Sequence, residues 1–110
     1  MEKDLETVML LDVYSGLLTE KQLRLCDMYY NQDYSLSEIA EIERTTRQAA
    51  RDGISKARQK LISFEQALGL CERRQRTNVA IEKARMLAGD NEMKEIIDEI
   101  SDIWGNDNGV

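Results

Sequence analysis

Between residues 44 and 60 the chain places Arg44, Arg47, Arg51, Lys56, Arg58 and Lys60 against the single carboxylate of Asp52. That is a local charge of about +5 in a chain whose formal net charge is −6. The chemistry open to such a segment is recognition of phosphate and of base edges. Arginine pairs bidentately with guanine, glutamine with adenine, and lysine serves as a point charge on phosphate. Thr46, Arg47, Gln48 and Arg51 sit where a helix should begin and form a base-reading set. Arg44, Lys56, Arg58 and Lys60 would then be phosphate contacts, which add affinity without sequence information. Working against them, Asp52, Glu41 and Glu43 repel phosphate, and Gly53 costs a helix about 1 kcal/mol relative to alanine.

Other chemistry is thinly supplied. The chain has no histidine, no glycine-rich loop following a strand, and no base and nucleophile that a cleft would join, so it reads as a non-enzyme without cofactor or metal. Cys26 and Cys71 match no zinc-ligand spacing and read as reduced, buried thiols.

The basic stretch needs elements to hold it, and periodicity supplies them. Residues 18–61 read as helix, turn, short helix, turn, basic helix, the pattern of a helix-turn-helix nucleic-acid reader. A first, broadly apolar helix covers about residues 3–17. A capping box of Thr19 with Gln22 opens a second, which should run to Asn31 on the spacing of Leu25, Met28 and Tyr29. Ser35 or Ser37 caps a third, ending near Glu43, with Ile39, Ala40 and Ile42 inward. Thr45 or Thr46 caps the fourth, and Ala49 and Ala50 let it approach the third closely.

The fourth helix carries Ala50, Ile54, Ala57, Leu61, Phe64, Leu68 and Cys71 at alternating spacings of four and three, a seam for packing along another helix. It reads as one helix from about Thr46 to Arg76, or as two broken near Gly69. The chain's own C-terminal helices or a second copy must cover the seam from Phe64 to Cys71, and the C-terminal stripe favours the former. That stripe is Met93, Ile96, Ile97, Ile100, Ile103 and Trp104, preceded by a helix over about residues 78–88 and the Gly89-Asp90 break. The polar face of this last helix is nearly all acidic, through Glu92, Glu95, Asp98, Glu99 and Asp102. It reads as a solvated face, or more sharply as a guard or a dock for a basic partner. Residues 105–110, GNDNGV, read as a tail.

At 110 residues, without proline and with aromatics at only 5%, the chain is expected to form one all-α domain over 1–110. Its helix-turn-helix core would span about 18–64 and its helical extension about 65–104. No apolar run approaches the roughly 20 residues that span a bilayer, so membrane insertion is not expected and the cytoplasm is.

The stretch LTEKQLRLCDMYYNQDYSLSEIAEIERTTRQAARDGISKARQKL is similar to region 4 of bacterial sigma factors. With DVYSGLLTEKQ before it and FEQALGL after it, the chain more closely resembles the YlxM family of small bacterial helix-turn-helix proteins. That resemblance covers about residues 12–70. It implies a sigma region 4-like fold, and a regulatory protein associated with the signal recognition particle pathway. The expected partners are DNA or RNA, or signal-recognition-particle components such as its GTPase or receptor, with a homodimer open. Such motifs usually hold an apolar residue and a glycine or asparagine in the turn, where this chain has Glu43 and Arg44. Arg44 would then take a left-handed conformation at a cost glycine avoids.

Overall fold

The first four α-helices begin where a side-chain oxygen accepts one of the backbone N–H groups that a helix start leaves unpaired. Asp4 accepts from Thr7 N at 3.0 Å. Thr19 and Gln22 exchange bonds of 3.1 Å in a capping box, and Ser35 and Glu38 do the same at 3.0 and 2.9 Å. Thr46 accepts from Ala49 N at 3.0 Å, so of the alternatives the sequence leaves open, Ser35 and Thr46 are the caps. The computed structural model describes residues 3–103, and those are helical almost throughout. The elements are α1 (Leu5–Tyr14), α2 (Glu20–Cys26), α3 (Leu36–Ile42), α4 (Arg47–Leu68), α5 (Leu70–Leu87) and α6 (Asn91–Ile103), with a 3₁₀ turn at Ser15–Leu17. Trp104 and the GNDNGV tail lie outside the described residues.

The second helical segment runs to Asn31, as its apolar spacing predicts, but changes its hydrogen-bond register on the way. At Asp27–Asn31 the α-helix gives way to a π-helical turn, in which Gln32 N donates to Asp27 O. Met28, Tyr29 and Tyr30 are all buried there. Three consecutive residues sweep about 200° of a regular helix, more than one packed face, and the widened turn redistributes them inward. The chain then turns through Asp33 at φ 59°. Lys3 closes over this turn, bonding Asp33 at 2.8 Å and the Tyr34 carbonyl at 2.9 Å with its ammonium above the Tyr29 ring.

Contacts divide the chain into two compact units, Met1–Cys71 and Glu72–Val110. In the first, α4 is the axis on which α1, α2 and α3 all pack. Its Ala50, Ile54, Ala57 and Leu61 are essentially sealed from solvent and meet Leu10, Leu11 and Tyr14 of α1, Leu25 and Cys26 of α2, and Ile39 and Ala40 of α3 in one cluster. Gly53, which looks like a helix-weakening residue in the sequence, has a packing reason: a Cβ there would stand 2.8 Å from Leu25 Cδ1. The close approach to α4 thus rests on Gly53 and the buried Ala50, whereas Ala49, expected to share that task, is exposed.

Gly69, at φ 61°, caps α4 and ends it, so the seam is carried by two helices. Tyr14 secures this junction. Its hydroxyl donates to Glu65 Oε1 at 2.6 Å and accepts from Leu70 N at 3.1 Å, while Cys71 N also donates to Glu65. Burial, then the Glu65 bond, push the Tyr14 hydroxyl above the usual phenol range. Phe64 lies 5.9 Å from the Tyr14 ring, and Cys71 belongs to the first unit's core. Within that unit, α1 therefore meets the seam at Phe64, Cys71 joins the core, and Leu68 between them stays exposed, where the sequence suggested C-terminal helices as the cover. Both cysteines are buried thiols outside any disulfide, and burial pushes the Cys26 thiol up to about 11.

In the second unit α5 continues unbroken to Leu87, although Arg76–Asn78 had suggested a boundary. No glycine or proline stands there to end it. Asp90 accepts from Met93 N at 2.8 Å where α6 begins. Among the described residues no helix is long and apolar enough to cross a membrane.

Candidate nucleic-acid interface

The turn between α3 and α4 is built from backbone bonds that need a left-handed residue. Arg44 N donates to Glu41 O at 3.3 Å and Thr45 N to Ala40 O at 2.9 Å, the paired bonds of a Schellman motif. Arg44, at φ 53°, occupies the position that usually belongs to glycine, at a cost of roughly 1–2 kcal/mol. Thr46 next takes an extended conformation and starts α4.

This arrangement brings Arg44, Thr46, Arg47, Gln48 and Arg51 together on the exposed turn and first turns of α4. Among the described residues, none of the three guanidinium groups has an ion-pair partner. Their placement does not serve the fold. The first turn of α4 carries no acid, and a cation there opposes the helix dipole. Arg47 and Arg51 are spaced i,i+4, where like charges repel. Gln48 donates to Asp52 Oδ1 at 2.9 Å, which ties the amide beside the arginines to the only acid of that stretch. Lys56 is exposed further along α4.

The other two cations are turned to internal work. Arg58 donates to Thr7 Oγ1 at 3.1 Å and pairs with Asp4 at 3.0 Å, both partners belonging to the start of α1. For Asp4, burial raises the carboxyl, but hydrogen bonds from Thr7 and Arg58 outweigh it and leave the group below the usual carboxylate range. Lys60 donates to Gln22 Oε1 at 3.0 Å on α2. Each thus has a partner within the first unit and stands apart from the cluster at the α4 start.

One contributor escapes a reading of the sequence. Arg24 of α2 reaches the turn and holds Glu43 through bonds of 2.7 and 3.1 Å. That hydrogen bonding lowers the Glu43 carboxyl below its usual range and raises the arginine. Glu43, which in the sequence counts against phosphate, is therefore neutralised locally. The two lie nineteen positions apart, so no local spacing could have shown the pair.

Comparison with known proteins places these features in a wider set. A family model described as "Putative helix-turn-helix protein, YlxM / p13 like" matches residues 1–103. The chain is similar to a UPF0122 protein of Clostridium botulinum, at 46% identity over 76 residues, covering 69% of this chain and 70% of that one. It is similar to a UPF0122 protein of Clostridium kluyveri at 49% over 72 residues, 66% of this chain and 65% of the relative. A UPF0122 protein of Clostridium novyi matches at 36% over 108 residues, 98% of this chain and 84% of the relative. In the first two, the matched stretch spans about two thirds of the relative's length.

Proposed function

Because the chain belongs to the YlxM/p13-like UPF0122 family of helix-turn-helix proteins, we propose that it is a non-enzymatic regulatory protein that binds nucleic acid through the N-terminal end of α4. The observation that carries this reading is the exposed Arg44, Arg47, Arg51 cluster at the positive pole of a 22-residue helix. Such charges weaken the fold unless an anion approaches.

In this reading the start of α4 enters the major groove. Arg47 and Arg51 address guanine edges, and Gln48 addresses adenine once its amide leaves Asp52. Thr46 and Arg44 border the base-reading set at the turn, and Lys56 contacts phosphate further along the helix. Arg58 and Lys60 contribute by holding α4 on α1 and α2. They are positioning residues rather than contacts.

Fluorescence anisotropy with labelled DNA duplexes and structured RNAs, read across a salt series, tests the proposal. Binding should weaken steeply with salt, and the Arg47→Ala/Arg51→Ala variant should lose about tenfold or more in affinity. Absence of salt-dependent binding at about 50 mM salt would overturn it. If the chain instead bound the signal-recognition-particle GTPase or its receptor with the double variant unimpaired, an accessory role without nucleic acid would replace it.

A further inference from the structure

The middle of the exposed face of α4 is held by an acid rather than by the arginines. At about 100° per residue, Asp52 lies roughly 180° around the helix from the sealed Leu61 and about 140–160° from Ala50, Ile54 and Ala57. Gln48, one turn earlier, lies about 40° from it, and both side chains are exposed. Arg51 and Arg47 stand about 100° and 140° round from Asp52, so they flank the face that Asp52 and Gln48 lead.

Asp52 is not spent as an ordinary surface ion. Lys56 follows it at i+4, the order that favours an ion pair on a helix, yet none joins the two among the described residues. Its partner is an amide instead. Gln48 Nε2 donates to Oδ1 at 2.9 Å, and among the described residues Oδ2 accepts no bond. An open acceptor therefore sits at the leading edge of a cationic helix.

A helix lying in a groove presents its leading residues to the base edges and its flanks to the phosphate rims. A carboxylate on the groove floor accepts and cannot donate, so it needs a donor there. In the major groove the donors are the amino groups of cytosine and adenine. Adenine sets the acceptor N7 beside its amino group, which opposes a carboxylate, whereas cytosine presents its amino group without one. Resting on the reading of α4 as a nucleic-acid-binding helix, we propose that Asp52 is the specificity-determining residue of the site and selects duplex DNA with a cytosine beneath it. The cytosine N4 amino group takes the place of the Gln48 amide on the carboxylate, which releases Gln48 to a neighbouring adenine. A duplex without that cytosine leaves the carboxylate desolvated and unpaired, so Asp52 also rejects the wrong site.

Selection from a pool of randomised DNA duplexes, run on the full parent chain and on Asp52→Asn and Asp52→Ala, tests the assignment. The parent should fix a C·G pair at one position of the enriched site, and replacing that pair should weaken binding by about tenfold or more in fluorescence anisotropy. Asp52→Asn should change the preferred pair there to A·T, because asparagine offers adenine both a donor and an acceptor, while Asp52→Ala should leave the position unspecified. Both variants should bind a random duplex about threefold tighter or more, since the repulsion of Asp52 from phosphate is gone. Asp52 stands outside the core, and circular dichroism establishes that the variants fold. Enriched sites that are identical in parent and variants, or that fix no cytosine, would overturn the assignment and leave the reading of α4 standing. A parent chain that binds no duplex would overturn both.

Discussion

Arg24 and Glu43 tie the side of α2 to the end of α3 through three hydrogen bonds, so the turn ahead of α4 is braced by a helix that precedes it by a whole element. The carboxyl of Glu43 lies below its usual range when folded. A lowered carboxyl adds stability above the unfolded value, about 4.3, and that stability is lost as pH falls through the folded one. Arg24→Ala should therefore lower the melting temperature at about pH 7, and the gap to the parent protein should narrow and then close as pH falls through the folded value of Glu43. A gap that persists at acid pH would show that the pair contributes by packing alone.

Gly53→Ala should destabilise the protein although alanine is the better helix former. Helix propensity favours the change by about 1 kcal/mol. The new Cβ meets Cδ1 of the buried Leu25 at 2.8 Å, and overpacking costs about 1–3 kcal/mol. Urea denaturation should show a net loss of about 1 kcal/mol, and the loss should shrink or reverse on a Leu25→Ala background.

Arg44→Gly should separate stability from binding. Relief of the left-handed strain is worth roughly 1–2 kcal/mol, and the added unfolded-state freedom of glycine returns about 0.5–1 kcal/mol of it. The variant should then be more stable by about 0.5–1 kcal/mol in thermal or urea unfolding. Under the proposed function it should bind nucleic acid less tightly, with a shallower salt dependence.

Arg58→Ala and Arg51→Ala should behave in opposite ways. Arg58 links α4 to Asp4 and Thr7, so its loss should cost about 1 kcal/mol of stability and leave the salt slope of binding unchanged. Arg51 has no such link among the described residues. Its replacement should leave unfolding within about 0.5 kcal/mol while weakening binding. Equal effects of the two on binding would contradict the division of cations seen here.

Much of what depends on residues a few positions apart was legible in the sequence, although the π-helical turn at Asp27–Asn31 and the unbroken run of α5 to Leu87 were not. The capping box at Thr19 needs a partner three residues on, and Ser35 stood beside Ser37 as a candidate cap. The stripe from Ala50 to Leu61 follows from helical period, and Gly69 could be read as a break because only glycine takes its backbone conformation without strain. What the tertiary structure alone decided are contacts between residues distant in the chain. Arg58 and Lys60 look like Arg47 and Arg51 in sequence, yet their partners lie 51, 54 and 38 positions away. The same holds for Glu43 and its arginine, and for Gly53, whose want of a side chain makes sense only against Leu25. The reason is physical: helix period and capping are set by local backbone geometry, whereas a long side chain takes whichever partner the folded neighbours bring within reach.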